Sequence, residues 1–190
     1  MDKVNLGSQI FVYPMPVAII GVMVDEKPNF MTLAWLTRVN LDPPLIGVVI
    51  NKTHHTARGI RQTRSFSVNF PGQELIEKTD FVGMASGKNI DKSALFDLFF
   101  GKTKSAPLIE QCPLCLECRL HGISEFPTND LFVGEIVESY TEDRFLTDGK
   151  LDLAKMKPFL LTMPDNGYWS VGERVARAWE AGKALFNQKQ

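Results

Sequence analysis

Asn51, Lys52, Thr53, His54, His55 and Thr56 form the run of this chain best suited to chemistry. It follows the apolar stretch Leu45–Asn51 and precedes Ala57, Ile60 and Arg61 at helical spacing, so it sits where a helix over residues 54–63 should begin. The first turn of a helix leaves backbone N–H groups without partners and carries a partial positive charge, so a phosphate can take up both the donors and the field. Thr53 and Thr56 add hydroxyls, Asn51 an amide, Lys52 a full charge, and one of the two histidines can face the anion. The same residue types favour helix starts for local reasons, so ordinary capping is the alternative. Neither GxGxxG nor GxxxxGK[ST] occurs, and a phosphate here would be held by hydroxyls and backbone rather than by a Rossmann turn or P-loop.

Cys112, Cys115, Cys118 and His121 compete with that reading, because C-x2-C-x2-C-x2-H could ligate zinc or three corners of an iron–sulfur cluster. Leu114, Leu116, Leu120 and Ile123 fill the gaps with strand-like residues. In an extended strand, residues three apart point to opposite faces, so Cys115 should face away from Cys112 and Cys118, and no metal is expected. No serine or cysteine pairs with His54 or His55 in a nucleophile motif, which leaves hydrolase chemistry without support.

Short strands must position these groups. Residues 17–24 and 29–40 read as a hairpin about a turn at 25–28, Leu45–Asn51 as a buried strand, and Ser65–Phe70 as a strand ending at Pro71-Gly72. Residues 74–85 look helical, 114–124 and 130–141 are two long strands, and 159–163 a last one. The second long strand carries apolar residues on both faces, as suits a barrel wall covered outside by a helix or partner. Residues 173–186, with Val175, Ala178, Trp179 and Leu185, suggest a closing helix. The expected class is mostly β with helical insertions, in one domain spanning 1–190.

The 190 residues carry 21 Lys and Arg against 22 Asp and Glu, a formal charge of −1 with no like-charge block, so no nucleic-acid footprint appears. The longest apolar run, near 17–24, is far short of a membrane span, and residues 1–13 lack a secretory pattern. A cytoplasmic protein without disulfides is the expectation.

The segments MTLAW (31–35), NLDPP (40–44), NKTHHT (51–56), SVNFP (67–71), ASGKNIDK (85–92), FVGEI (132–136) and NGYWSVG (166–172) resemble, in order, those of the flavin reductase-like proteins, most closely the flavoredoxin branch. The resemblance implies an FMN-binding split β-barrel working as a homodimer. It places Thr32, Leu33, Ala34 and Trp35 along the isoalloxazine edge and Asn51, Lys52, Thr53 and Thr56 at the ribityl phosphate. Ser86, Gly87, Lys88 and Lys92 form a second cationic segment near the phosphate or the reduced ring, and Tyr168 and Trp169 are aromatic faces for the flavin or a nicotinamide. The residues at 34–38 depart from the small hydroxyl residues of many flavin reductases, which favours tightly held FMN over FAD. The implied electron source is NAD(P)H for a reductase, or a redox-protein donor for a flavoredoxin-like carrier.

Overall fold

The computed structural model describes residues 1–10, 12–183 and 185–186. From the N-terminus come β1 (Met15–Pro16), β2 (Ala18–Val24), β3 (Lys27–Leu33), β4 (Leu36–Asn40) and β5 (Leu45–Asn51), then α1 (His55–Thr63), β6 (Ser65–Phe70) and α2 (Ile76–Met84). After α2 follow β7 (Leu98–Phe100), β8 (Pro107–Ile109), the long β9 (Leu114–Glu125) and β10 (Asn129–Tyr140), then β11 (Leu146–Thr147), β12 (Lys150–Leu151), α3 (Leu153–Met156), β13 (Phe159–Thr162) and β14 (Gly167–Ser170). This is the expected mostly-β chain with helical insertions.

The main sheet has seven strands in the order β3-β2-β6-β9-β10-β5-β4. Its two edges, β3 and β4, are joined only by Ala34 and Trp35. Laid flat, the edges would stand about 29 Å apart at roughly 4.8 Å per strand spacing. From Leu33 to Leu36 the backbone reaches at most about 11 Å. The sheet must therefore curl until its edges meet, and since no ladder joins β3 to β4 the barrel stays split along that line.

Strand alternation sorts the core into two layers. Ala18, Ile20, Val22, Val48, Ile50, Phe66, Val68, Cys118 and Phe132 fill the inside, and Ala57 and Ile60 of α1 close one end. The interior is tight: a Cβ on Gly134 would lie 2.5 Å from Phe66 Cζ. Outside, Ile19 and Phe30 pack with Leu75, Val82, Phe96, Leu108, Ile109, Cys112 and Cys115. Cys115 and Cys118 thus face opposite ways, as strand geometry requires. Cys112 shares the outer layer with Cys115, contrary to expectation, because it lies in the turn before β9, where strand alternation does not yet apply.

Three further expectations are corrected. The segment 29–40 is two strands: the chain leaves the hairpin at Ala34-Trp35 and β4 pairs with β5 instead. The turn narrows to Asp25-Glu26, both at positive φ (47 and 64), the handedness a tight hairpin demands, so Lys27 and Pro28 join β3. Pro28 is tolerated because β3 is an edge strand. The expected closing helix is absent over residues 173–182, and of the described residues after it only Lys183, Leu185 and Phe186 carry 3-10 turns. Residues 173–177 lack helical structure, 178–182 are a turn, and Trp179 sits at φ 60. Val175 and Trp179 are fully exposed, so this segment has no apolar surface to pack on, and short helices rarely persist without one. Ala184, inside the expected helix, lies outside the described residues.

An ion cluster seats α1 on the barrel. Asp130 of β10, 1% exposed, receives Arg61 Nη2 at 2.6 Å and Lys52 Nζ at 3.3 Å. Removing Arg61 leaves a buried carboxylate with only Lys52 beside it. Arg61→Ala should cost about 3 kcal/mol in urea unfolding, and a loss below about 1 kcal/mol, the range of an exposed pair, would show that the cluster does not seat the helix.

Candidate functional site

The start of α1 is bare of side-chain caps: His54 at the N-cap makes no capping bond, and no acidic residue lies in the first turn. It borders a cavity of about 280 Å³ lined by Thr53, His54, His55 and Thr56, by Asn29, Met31 and Thr32 of β3, and by residues 82–87 with Lys92. No carboxylate lines it among the described residues. Uncapped amides, hydroxyls and an ammonium without a competing negative charge suit a phosphate group.

The opposite wall is the end of α2. Helix C-termini carry negative charge, which would repel an anion. Lys92, 3% exposed, donates to the Val82 and Ala85 carbonyl oxygens at 3.0 and 2.8 Å and so covers that end with a cation. Burial lowers its pKa from the usual lysine range to about 8. Burial, then Lys92 and Lys88, also lower that of His54, and burial, then Arg58, that of His55. Neutral imidazoles at pH 7 keep a donor and an acceptor each. His55 Nδ1 is buried without a hydrogen-bond partner among the described residues.

The hydroxyls are not equivalent. Thr32 Oγ1 donates to the Thr79 carbonyl of α2, and Thr53 Oγ1 to Asn51 Oδ1 at 2.8 Å. Asn51 Oδ1 also accepts the Thr53 N–H at 3.0 Å, so Asn51 shapes the approach to α1. Thr56 Oγ1, 1% exposed, accepts from Asn29 Nδ2 at 2.9 Å. Gly87 belongs where it is because a Cβ there would overlap Asn29 Oδ1. Beyond His55 and Gly87 a second cavity of about 470 Å³ includes Lys27 and Lys88 in its lining.

Of the residues expected at a site, Thr32, Thr53, Thr56, Ser86, Gly87 and Lys92 therefore meet at one cavity. Lys52 turns to Asp130, and Lys88 lines the neighbouring cavity. Leu33 and Ala34 are buried, while Trp35 lines an apolar cleft of about 740 Å³ with Ile10, Leu36, Val49 and Met163. Tyr168 donates to Asp80 Oδ1 at 2.9 Å, and burial, then Asp80, push its pKa up to about 12. Trp169 donates to Thr162 Oγ1 at 2.8 Å. These aromatics brace β14 rather than line the 280 Å³ cavity. Asn29 is a polar wall residue that sequence reasoning missed, as it did Met31 and residues 82–85. Its signal is an amide among strand residues, a type depleted in strands unless something holds it.

A model of the flavin reductase like domain matches residues 10–154. The chain belongs to the flavin reductase-like family. Flavoredoxin from Methanosarcina acetivorans is 49% identical, over 97% of this chain and 100% of that one, with a TM-score of 0.95. Flavoredoxin of Desulfovibrio vulgaris (Miyazaki F) is 31% identical over 96% and 100%, TM-score 0.89. An FMN-binding protein from Thermus thermophilus, solved with 1-cyclohex-2-enone bound, is 27% identical over 93% and 97%, TM-score 0.77. The fold is the split β-barrel of that family, as the sequence resemblance implied.

Because Lys92 is buried in the folded flavin reductase-like domain, its pKa there lies below its unfolded value. Between about 8 and 10.5 the unfolded chain binds more protons, so this residue's contribution to stability rises with pH across that window. Unfolding free energies measured near pH 7.5 and near pH 10 should show the wild type gaining on the order of 2 kcal/mol relative to Lys92→Met. Parallel profiles would mean that the ammonium is solvated.

Proposed function

We propose that this chain is an FMN-binding oxidoreductase that holds the ribityl phosphate at the start of α1. The observation that carries the reading is the uncapped α1 start, with Thr53 and Thr56, set across one carboxylate-free cavity from Ser86 and Lys92. The FMN named for the Thermus thermophilus relative supports the same cofactor here. When bound, FMN supplies reversible hydride and single-electron chemistry, so the protein needs no nucleophile of its own. Thr56 and Ser86 hydroxyls and the α1 amides bind the phosphate, and Lys92 screens the α2 carbonyls from it. Thr32 and Leu33, on the open edge of β3, offer backbone groups to the polar rim of the ring.

The donor we assign is NADH or NADPH, making the chain an NAD(P)H-dependent flavin reductase-like enzyme. The 49% identity to a flavoredoxin favours a second reading, an electron carrier served by a redox protein. A homodimer is part of the proposal. Val39 and Leu41, 46% and 76% exposed on and beside edge strand β4, stand near the apolar Trp35 cleft and need cover. A cytoplasmic setting fits three free, buried cysteines, and no helix among the described residues is long and apolar enough to cross a membrane.

Thr56→Val should weaken FMN binding by about 1 to 2 kcal/mol, the worth of one hydrogen bond to a charged group, read by quenching of flavin fluorescence. Unchanged affinity would remove Thr56 from the site. In an anaerobic visible spectrum, bleaching of the flavin by NADH or NADPH is the expected result. A spectrum that persists until dithionite is added assigns the carrier role, and a protein that takes up no FMN sinks both.

A further inference from the structure

Hydroxyl protons around the cavity are mostly spent. Thr32 gives its proton to the Thr79 carbonyl and Thr53 to Asn51. Thr56 differs: its oxygen accepts from Asn29 Nδ2 at 2.9 Å, and its proton has no acceptor among the described residues. A hydroxyl has one donor and two acceptor sites, so filling one acceptor site with an N–H leaves the proton to point elsewhere. Thr56 is 1% exposed, and the open space beside it is the cavity.

The amide of Asn29 is buried. It is 5% exposed, its Oδ1 lies against Gly87, where any Cβ would overlap it, and its Nδ2 is turned to Thr56. With the oxygen and nitrogen exchanged, Thr56 would instead donate its proton to the amide and present only lone pairs to an anion.

We propose that Asn29 is a positioning residue that fixes the Thr56 hydroxyl as a donor to the ligand's phosphate, so that it favours phosphorylated over unphosphorylated flavin through Thr56. The inference rests on the FMN reading above and assigns a role to a residue outside it. A merely structural Asn29 would brace β3, α1 and the Gly87 turn, and its loss would then weaken every flavin alike.

The test is a double-mutant cycle on Asn29→Ala and Thr56→Val, with FMN and riboflavin each titrated against the full chain. Asn29→Ala should weaken FMN about tenfold when Thr56 is present, the equivalent of one charged hydrogen bond. It should weaken FMN less than about twofold in the Thr56→Val background, since the two act as one unit. Riboflavin affinity should not move in any variant. Equal losses in both backgrounds, or equal losses for riboflavin and FMN, overturn the proposal. If Asn29→Ala does not fold, near-isosteric Asn29→Asp replaces it. Its added charge acts in both backgrounds, while the reorientation of Thr56 acts in one, so the same subtraction decides. A wild-type chain that binds no FMN fails the functional reading itself, an outcome distinct from tight FMN binding that ignores Asn29.

Discussion

The Ala34-Trp35 link is the constraint on which the architecture depends. Because it joins the two edges of a seven-stranded sheet, the sheet has no flat solution. Curling removes both open edges from the positions where they would invite further strands, yet it stops short of a closed ladder. The Trp35 carbonyl is taken by Val49 N–H at 2.9 Å and the Ala34 carbonyl by Leu36 N–H at 3.1 Å, so the link is pinned to β5 and β4 rather than left slack. β3 keeps an unpaired side, and α2 packs against it closely enough that a Cβ on Gly83 would lie 3.1 Å from Thr32 Cβ.

That seam brings two helix ends of opposite sign to one cavity. The α1 start offers amides and partial positive charge, and the α2 end offers carbonyls that would cancel it across the same space. Lys92 resolves the conflict by donating to two of those carbonyls. An exposed lysine could reach an anion at less cost. A buried one spends its protonation energy on making the far wall compatible with negative charge, which explains why Lys92 is buried while Lys88, four residues before it, stays in solvent.

Much of this was legible in the sequence. Leu45–Asn51 and Ser65–Phe70 were read to the residue, since the first is a continuous apolar run after Pro43-Pro44 and the second alternates polar and apolar residues up to Pro71-Gly72. The start of α1 followed from the switch between strand-like and helical spacing. The break at Ala34-Trp35 was hidden because residues 29–40 read as one continuous strand; the split is imposed by pairing, β3 with β2 and β4 with β5, and leaves no local mark. The closing helix failed for the converse reason. Val175, Ala178, Trp179 and Leu185 have helical spacing, but spacing stabilises a helix only where a surface receives its apolar face. Lys52 misled because its charge was visible and Asp130, far along the chain, was not. Asn29 was overlooked because a lone amide in a strand announces only that it has a partner.

The interior of the barrel decides where a ligand can go. Small barrels either fill with side chains or keep a cavity, and the difference lies in the residues that point inward. Here Phe66 and Phe132 are fully buried, and Gly134 is a glycine because Phe66 occupies the place of its side chain. No planar ring fits inside such a core. The outward faces of β2, β3 and β9 are covered by α2 and the β7–β8 hairpin, whose packing sequesters Cys112 and Cys115. Burial raises both thiols above the usual range, Cys115 to about 12, so they stay protonated and inert. At the rim, β3, the start of α1 and the end of α2 converge on the 280 Å³ cavity. A cofactor that brings its own reactivity requires no more of a protein than such a rim: donors already aimed, opposing charge already screened, and a rigid wall behind them.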